Sequence, residues 1–186
     1  MITSAANIVV SPLEAIDDEL VLSLQKGITR AFGYPTSIEP LLPDIAFAFH
    51  PGRKQYHSTQ IIDRLADELE KDQLRVLGVT EHDLFIPILT HVYGEAQLGG
   101  RAGVISLYRL REGLDLLSPG GEYEVRVVKE AVHELGHTFG LKHCPDAGCI
   151  MHYCRSLKDV DRKQGEFCRY CRVMLEDAIE EVRSKE

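Results

Sequence analysis

The chain carries no excess of positive charge. Its 21 Lys and Arg stand against 29 Asp and Glu, for a formal net charge of −8 over 186 residues. That balance argues against nucleic acid and against anionic membranes as partners, because both select basic surfaces. It is compatible with a cationic substrate, such as a basic peptide or a free N-terminal amine. No apolar run is long enough to span a bilayer. The first residues, Met1 to Asn7, lack the basic region and long apolar core of a secretory signal. There is no obvious pro-segment, internal repeat, low-complexity stretch or interdomain linker. These absences predict a cytoplasmic chain that forms one domain over residues 1–186, and a hydrophobic fraction of 44% supplies one good core.

What the chain has is a concentrated motif. His133-Glu134-Leu135-Gly136-His137-Thr138-Phe139-Gly140-Leu141-Lys142-His143 reads H-E-x-x-H-x-x-G-x-x-H. Residues four apart share one face of a helix, so His133 and His137 can aim at one metal ion. Glu134 lies along the same edge, within reach of a metal-bound water. Gly140 can leave the helix with positive φ and turn the chain, which brings His143 back as a third ligand. Three protein ligands leave one position open, the arrangement of a catalytic zinc. A bare H-E-x-x-H also occurs in helices that bind nothing; Gly140 and His143 extend the match to five fixed positions. Upstream, Val125, Val127, Val128, Ala131 and Val132 predict a largely apolar, buried helix.

The cysteines form a second constellation. Cys144 and Cys149 are spaced C-x4-C, and Cys168 and Cys171 are spaced C-x2-C. Two such pairs can surround one structural zinc with four thiolates. Cys168 and Cys171 open an apparent helix, whose N-terminus favours thiolate over thiol. Disulfides, an iron–sulfur cluster and inert buried thiols are the competing readings; the spacing differs from plant-type clusters, and no secretory signal points to an oxidising compartment. Five cysteines for four positions leave Cys154 as the spare, although spacing alone lets Cys149 and Cys154 exchange roles.

His133 to His143, with Met151 eight residues later, resembles the metzincin clan of zinc peptidases. The full pattern, with Cys144 directly after the last histidine, Cys149, Met151 two further on and the distal Cys168 and Cys171, resembles the archaemetzincin family. That resemblance covers residues 133–171 and is highly specific; Gly94 to Arg101 and Tyr108-Arg109-Leu110 are similar more loosely. It implies an α+β, metzincin-like domain: a twisted mixed β-sheet with an antiparallel edge strand, an active-site helix and a C-terminal helix. The N-terminal sheet-and-helix part would cover about 1–132, and the zinc-binding motif with the C-terminal helix about 133–186. The resemblance further implies two Zn2+, one catalytic and one structural, with Met151 packed under the imidazoles. It points to Gly94, Glu95, Ala96, Gln97 and Leu98 as an edge strand that pairs with extended peptide substrate. Met151-His152-Tyr153 resembles the astacins, whose tyrosine approaches the metal; for Tyr153 the competing reading is a packed ring.

Elsewhere the patterning predicts a strand at Ile8–Val10 and a helix opened by Ser11, Pro12 and the capping-box Glu14. Its stripe would be Leu13, Ile16, Leu20, Leu24 and Ile28, stopped by Gly33 and Pro35. A strand is expected at Ile45–Phe49, with Phe47 and Phe49 on one face. Ser58 should begin a second helix, and Leu74–Val79 should be another strand. Phe85 to Leu110 reads as a hairpin with a two-residue Gly99-Gly100 turn, and Ser118 to Gly121 as a turn. A last helix runs from near Phe167 to Arg183, with Val173, Leu175, Ile179 and Val182 inward. The expected chemistry is peptide hydrolysis by a zinc-activated water with Glu134 as general base. The alternative is a zinc-stabilised peptide-binding protein with little turnover.

Overall fold

Three apolar runs build the centre of the sheet. They are β1 (Asn7–Pro12), β5 (Gln73–Thr80) and β8 (Ala102–Ser106), each almost wholly buried. A parallel strand covered on both faces needs such runs. With β2 (Thr36–Ile38) and β7 (Gly94–Ala96) they form a five-stranded sheet of order β2-β1-β5-β8-β7. The computed structural model describes residues 6–114 and 121–184. The first four strands are mutually parallel, and β7 closes the edge antiparallel to β8 in the register Gly94↔Ile105, Glu95↔Val104 and Ala96↔Gly103.

Alternate residues of the sheet feed two apolar clusters. Ile8, Val10, Leu77 and Ile105 meet α1 (Asp18–Phe32) and α3 (Glu122–Thr138) through Leu24, Ile28, Val127, Ala131 and Leu135. Val9, Val76 and Val104 meet α2 (Ser58–Glu68) through Ile61 and Leu65. A small second sheet, order β3-β4-β6, joins β3 (Phe49–His50), β4 (Gln55–His57) and β6 (Leu84–Phe85). The C-terminal α5 (Arg169–Arg183) buries Cys171, Leu175 and Ile179. A short α4 (Leu157–Arg162) docks on α3 through ionic contacts. Arg126 forks onto Asp161 at 2.7 and 2.8 Å, and Lys129 Nζ donates to the carbonyls of Val160 and Asp161.

Several sequence expectations need correction. Ser11 and Pro12 do not open a helix, because both belong to β1, where Pro12 lies opposite Val79. The helix begins at Asp18, and Asp17 caps it by accepting from the Leu20 amide at 3.0 Å. Glu14 instead reaches across to Thr80 Oγ1 and the Glu81 amide. Residues 46–48 form a single 3-10 turn rather than a strand, and Phe47 and Phe49 are exposed. Gly99-Gly100 is not a two-residue hairpin turn: the loop is longer, closed by Gln97 N–H to Ala102 O and Gly100 N–H to Gln97 O, with Gly99 at φ 68. Gln97 and Leu98 therefore lie beyond the strand. Val125 and Val173 face outward, at 51% and 50% exposure. The turn expected at Ser118 to Gly121 lies outside the described residues except for Gly121. The sequence patterning missed α4, β2 and β4, and touched the second sheet only at Phe49 and Phe85.

Candidate metal centres

Helix α3 ends at Thr138, and Gly140, at φ 85, turns the chain. That turn returns His143 toward His133 and His137, and one ligand atom from each lies within 4.8 Å of the others. His133 Nδ1–H donates to the Ile150 carbonyl at 2.8 Å, and His137 Nδ1–H donates to the Leu141 carbonyl at 2.7 Å. With Nδ1 committed as donor, a neutral imidazole keeps its lone pair on Nε2. The two Nε2 atoms face each other at 3.2 Å. A tetrahedral zinc with N ligands at roughly 2.0–2.1 Å separates them by about 3.3 Å, so the donors fit that ion. Burial holds His133 well below the usual imidazole range, with the Lys163 charge the next cause. Burial also lowers His137 and His143. In each case the shift favours the neutral, ligating form.

Glu134 sits beside these rings with 5% exposure. Burial first, and the neighbouring Glu130 carboxylate second, raise it well above the usual carboxylate range. Met151 is fully buried against the bare Cα of Gly136, on the helix that carries His133 and His137; a Cβ there would stand 2.5 Å from the methionine sulfur. Above the rings opens a cleft of about 410 Å³, lined among others by Tyr93, Gly94, Glu95, Ala96 and Tyr153. Gln97 and Leu98 are not part of its lining. Tyr153 is 46% exposed, and its ring lies 4.9 Å from that of His143, so it is a cleft residue rather than a core one. The Glu95 carboxylate turns away to the start of α2, accepting from Ser58 Oγ and from Thr59 Oγ1 at 2.9 and 3.1 Å.

The sequence reading passed over two site residues. Glu130 lines the cleft one helical turn before Glu134, a spacing that pattern alone offers. Lys163 has no such signal. It is wholly buried, and its Nζ stands 3.6 Å from Glu130 Oε2, an ion pair too long for a hydrogen bond.

The sulfurs of Cys144, Cys149, Cys168 and Cys171 also lie within 4.8 Å of one another. Cys144 and Cys168 are 3.8 Å apart at Sγ, far longer than a disulfide and close to the roughly 3.8 Å edge of a zinc–thiolate tetrahedron. Cys168 is the residue that caps α5, and the nearby Cys171 amide pulls its thiol below the usual range. Cys149 Sγ accepts from the Cys168 amide at 3.3 Å. Cys154 stands outside this group and lines the cleft.

A mixed sheet with an antiparallel edge strand over a three-histidine, one-glutamate helix site defines a metallopeptidase. Residues 44–177 match Peptidase family M54. The chain is 45% identical over 130 residues to the archaemetzincin of Methanopyrus kandleri, covering 69% of this chain and 70% of that protein. It is 36% identical over 171 residues to the archaemetzincin of Methanocaldococcus jannaschii, covering 91% and 93%. The crystal structure of the M. kandleri archaemetzincin superimposes with a TM-score of 0.81 at 34% identity, covering 97% of this chain and 98% of that one. The chain belongs to peptidase family M54 and is a zinc metallopeptidase.

Proposed function

We propose that this chain hydrolyses peptide bonds at the histidine site, with Glu134 as general base, and holds a second, structural zinc on Cys144, Cys149, Cys168 and Cys171. The observation that carries this reading is the convergence of three imidazoles beside a buried carboxylate, under a cleft bordered by the edge strand β7. His133, His137 and His143 would hold the zinc, which when bound would supply a Lewis acid and lower the pKa of water toward neutrality. Glu134 takes the proton of the attacking water and returns it to the leaving amine. Strand β7 offers its outer backbone edge to an extended peptide, a general mode of peptide capture. We assign that pairing to Gly94, Glu95 and Ala96, which form β7 and line the cleft. Tyr153, a cleft residue whose ring lies beside that of His143, is the side chain we assign to assist at the reacting carbonyl. Thiolate ligands persist in reducing surroundings, which favours a cytoplasmic setting.

Metal analysis per chain, before and after mild chelation, tests the two-site reading. About two zinc ions, one readily stripped and one resistant, is the expected result. Glu134→Gln should keep both metals and abolish cleavage of a peptide library. A variant that still cleaves at the parent rate would remove Glu134 from the mechanism.

A further inference from the structure

Gly94 lies on β7 directly against the side chain of Glu134. A Cβ at this position would stand 2.6 Å from Glu134 Cγ, 2.9 Å from Cδ and 2.8 Å from Oε1. Ordinary side-chain carbon contacts do not come so close, so either the strand or the glutamate would have to move. The φ of Gly94 is not in the left-handed region, so its backbone accepts alanine without strain. Only the space is denied.

The strand is not free to retreat. Tyr93 O accepts from the Ser106 amide at 2.7 Å, immediately before Gly94. Glu95, immediately after it, is tied to Ser58 and Thr59 at the start of α2. Gly94, Glu95 and Ala96 are all paired with β8. Further along, the Gly99 amide donates to the His137 carbonyl at 2.9 Å, which ties the loop after β7 to the end of α3. With both neighbours of Gly94 held, the flexible partner is the glutamate.

We infer that Gly94 is a positioning residue for the general base: its bare Cα is one wall of the slot that fixes the Glu134 carboxylate. This deepens the proposed mechanism and rests on Glu134 acting in it. The role differs from passage for substrate. A glycine needed only to let the peptide approach the strand would affect binding. A glycine that sets the position of the base affects turnover.

Gly94→Ala, Glu134→Ala and the double variant separate these roles. Gly94→Ala in the zinc-loaded enzyme should lower kcat by about 100-fold, the cost of displacing a catalytic group by about 1 Å. KM and zinc content should stay near the parent values. A crystal structure of the variant should show the Glu134 carboxylate rotated away from residue 94. Thermal unfolding provides a readout without turnover. Gly94→Ala should lower Tm in the parent and not in the Glu134→Ala background, where the crowded atoms are gone. An unchanged kcat, a rise confined to KM, or equal Tm shifts in both backgrounds would overturn the inference. Full activity in Glu134→Gln would instead overturn the general-base reading, because the Tm coupling is measured independently of it.

Discussion

At the scale of single residues, the site divides into side chains whose spacing announces them and side chains that only the fold brings together. The three histidines and Glu134 were legible because a helix repeats every 3.6 residues and Gly140 supplies the turn after it. Lys163 was not, since its partner Glu130 lies 33 positions earlier on another element. The Gly94–Glu134 contact spans 40 positions and involves an absent side chain, which no pattern records. Lys163 also makes a sharp stability prediction. Its ammonium is fully buried against Glu130, which is 6% exposed. Lys163→Met leaves that carboxylate buried without its cation and should destabilise the protein by about 3–5 kcal/mol in denaturant unfolding. The double variant with Glu130→Gln should recover part of the loss. A single variant as stable as the parent would show that the pair holds nothing.

Elements were legible where one period ran unopposed. Ser58 opens α2, and the apolar run of β5 is where the pattern placed it, within a residue at each end. The start of α1 was misplaced because Ser11-Pro12 carries a strong local helix signal, yet parallel pairing of β1 with β5 runs through it. Tertiary pairing outweighed a local cap worth about 1 kcal/mol. Helix α4 has six residues, too few for a periodic stripe, and it is held by a Ser156–Asp159 capping box and the Arg126 fork together with just two inward apolar residues, Leu157 and Val160. On the two-zinc reading the cysteine cluster acts at this scale as a clamp. Cys144 and Cys149 flank the loop after the third histidine, and Cys168 and Cys171 open α5. On that same reading, Cys168→Ala or Cys171→Ala should cost about 4 kcal/mol or more, as loss of a metal site does. Peptidase activity should fall only as the fold does, which melting curves run beside activity at several temperatures will reveal. Normal melting with full activity would refute the clamp.

For the whole molecule, the sheet separates two apolar clusters, and the metal residues all lie on the α1/α3 side. The fold class followed from the resemblance of one short motif, while the second sheet did not, because β3, β4 and β6 are two or three residues long. Among the described residues no helix is long and apolar enough to cross a membrane. On the two-zinc reading, thermal stability should respond in two stages to chelation. Mild chelation that empties the histidine site should lower Tm by a few degrees, whereas strong chelation that reaches the thiolates should unfold the C-terminal part. Calorimetry at graded chelator concentration would show this, and a single transition insensitive to chelator would contradict it.

His143 and Cys144 are neighbours in the chain, yet one turns to the imidazole cluster and the other to the thiolate cluster. The Cys144 amide is further tied to the Met151 carbonyl at 2.9 Å. The two centres thus share a single peptide unit and cannot be ordered independently. On the two-zinc reading, filling either centre raises the affinity of the other by the same factor, whichever is loaded first. Metallation of this enzyme then becomes a cooperative event. Loss of the readily stripped ion would then loosen, without releasing, the other.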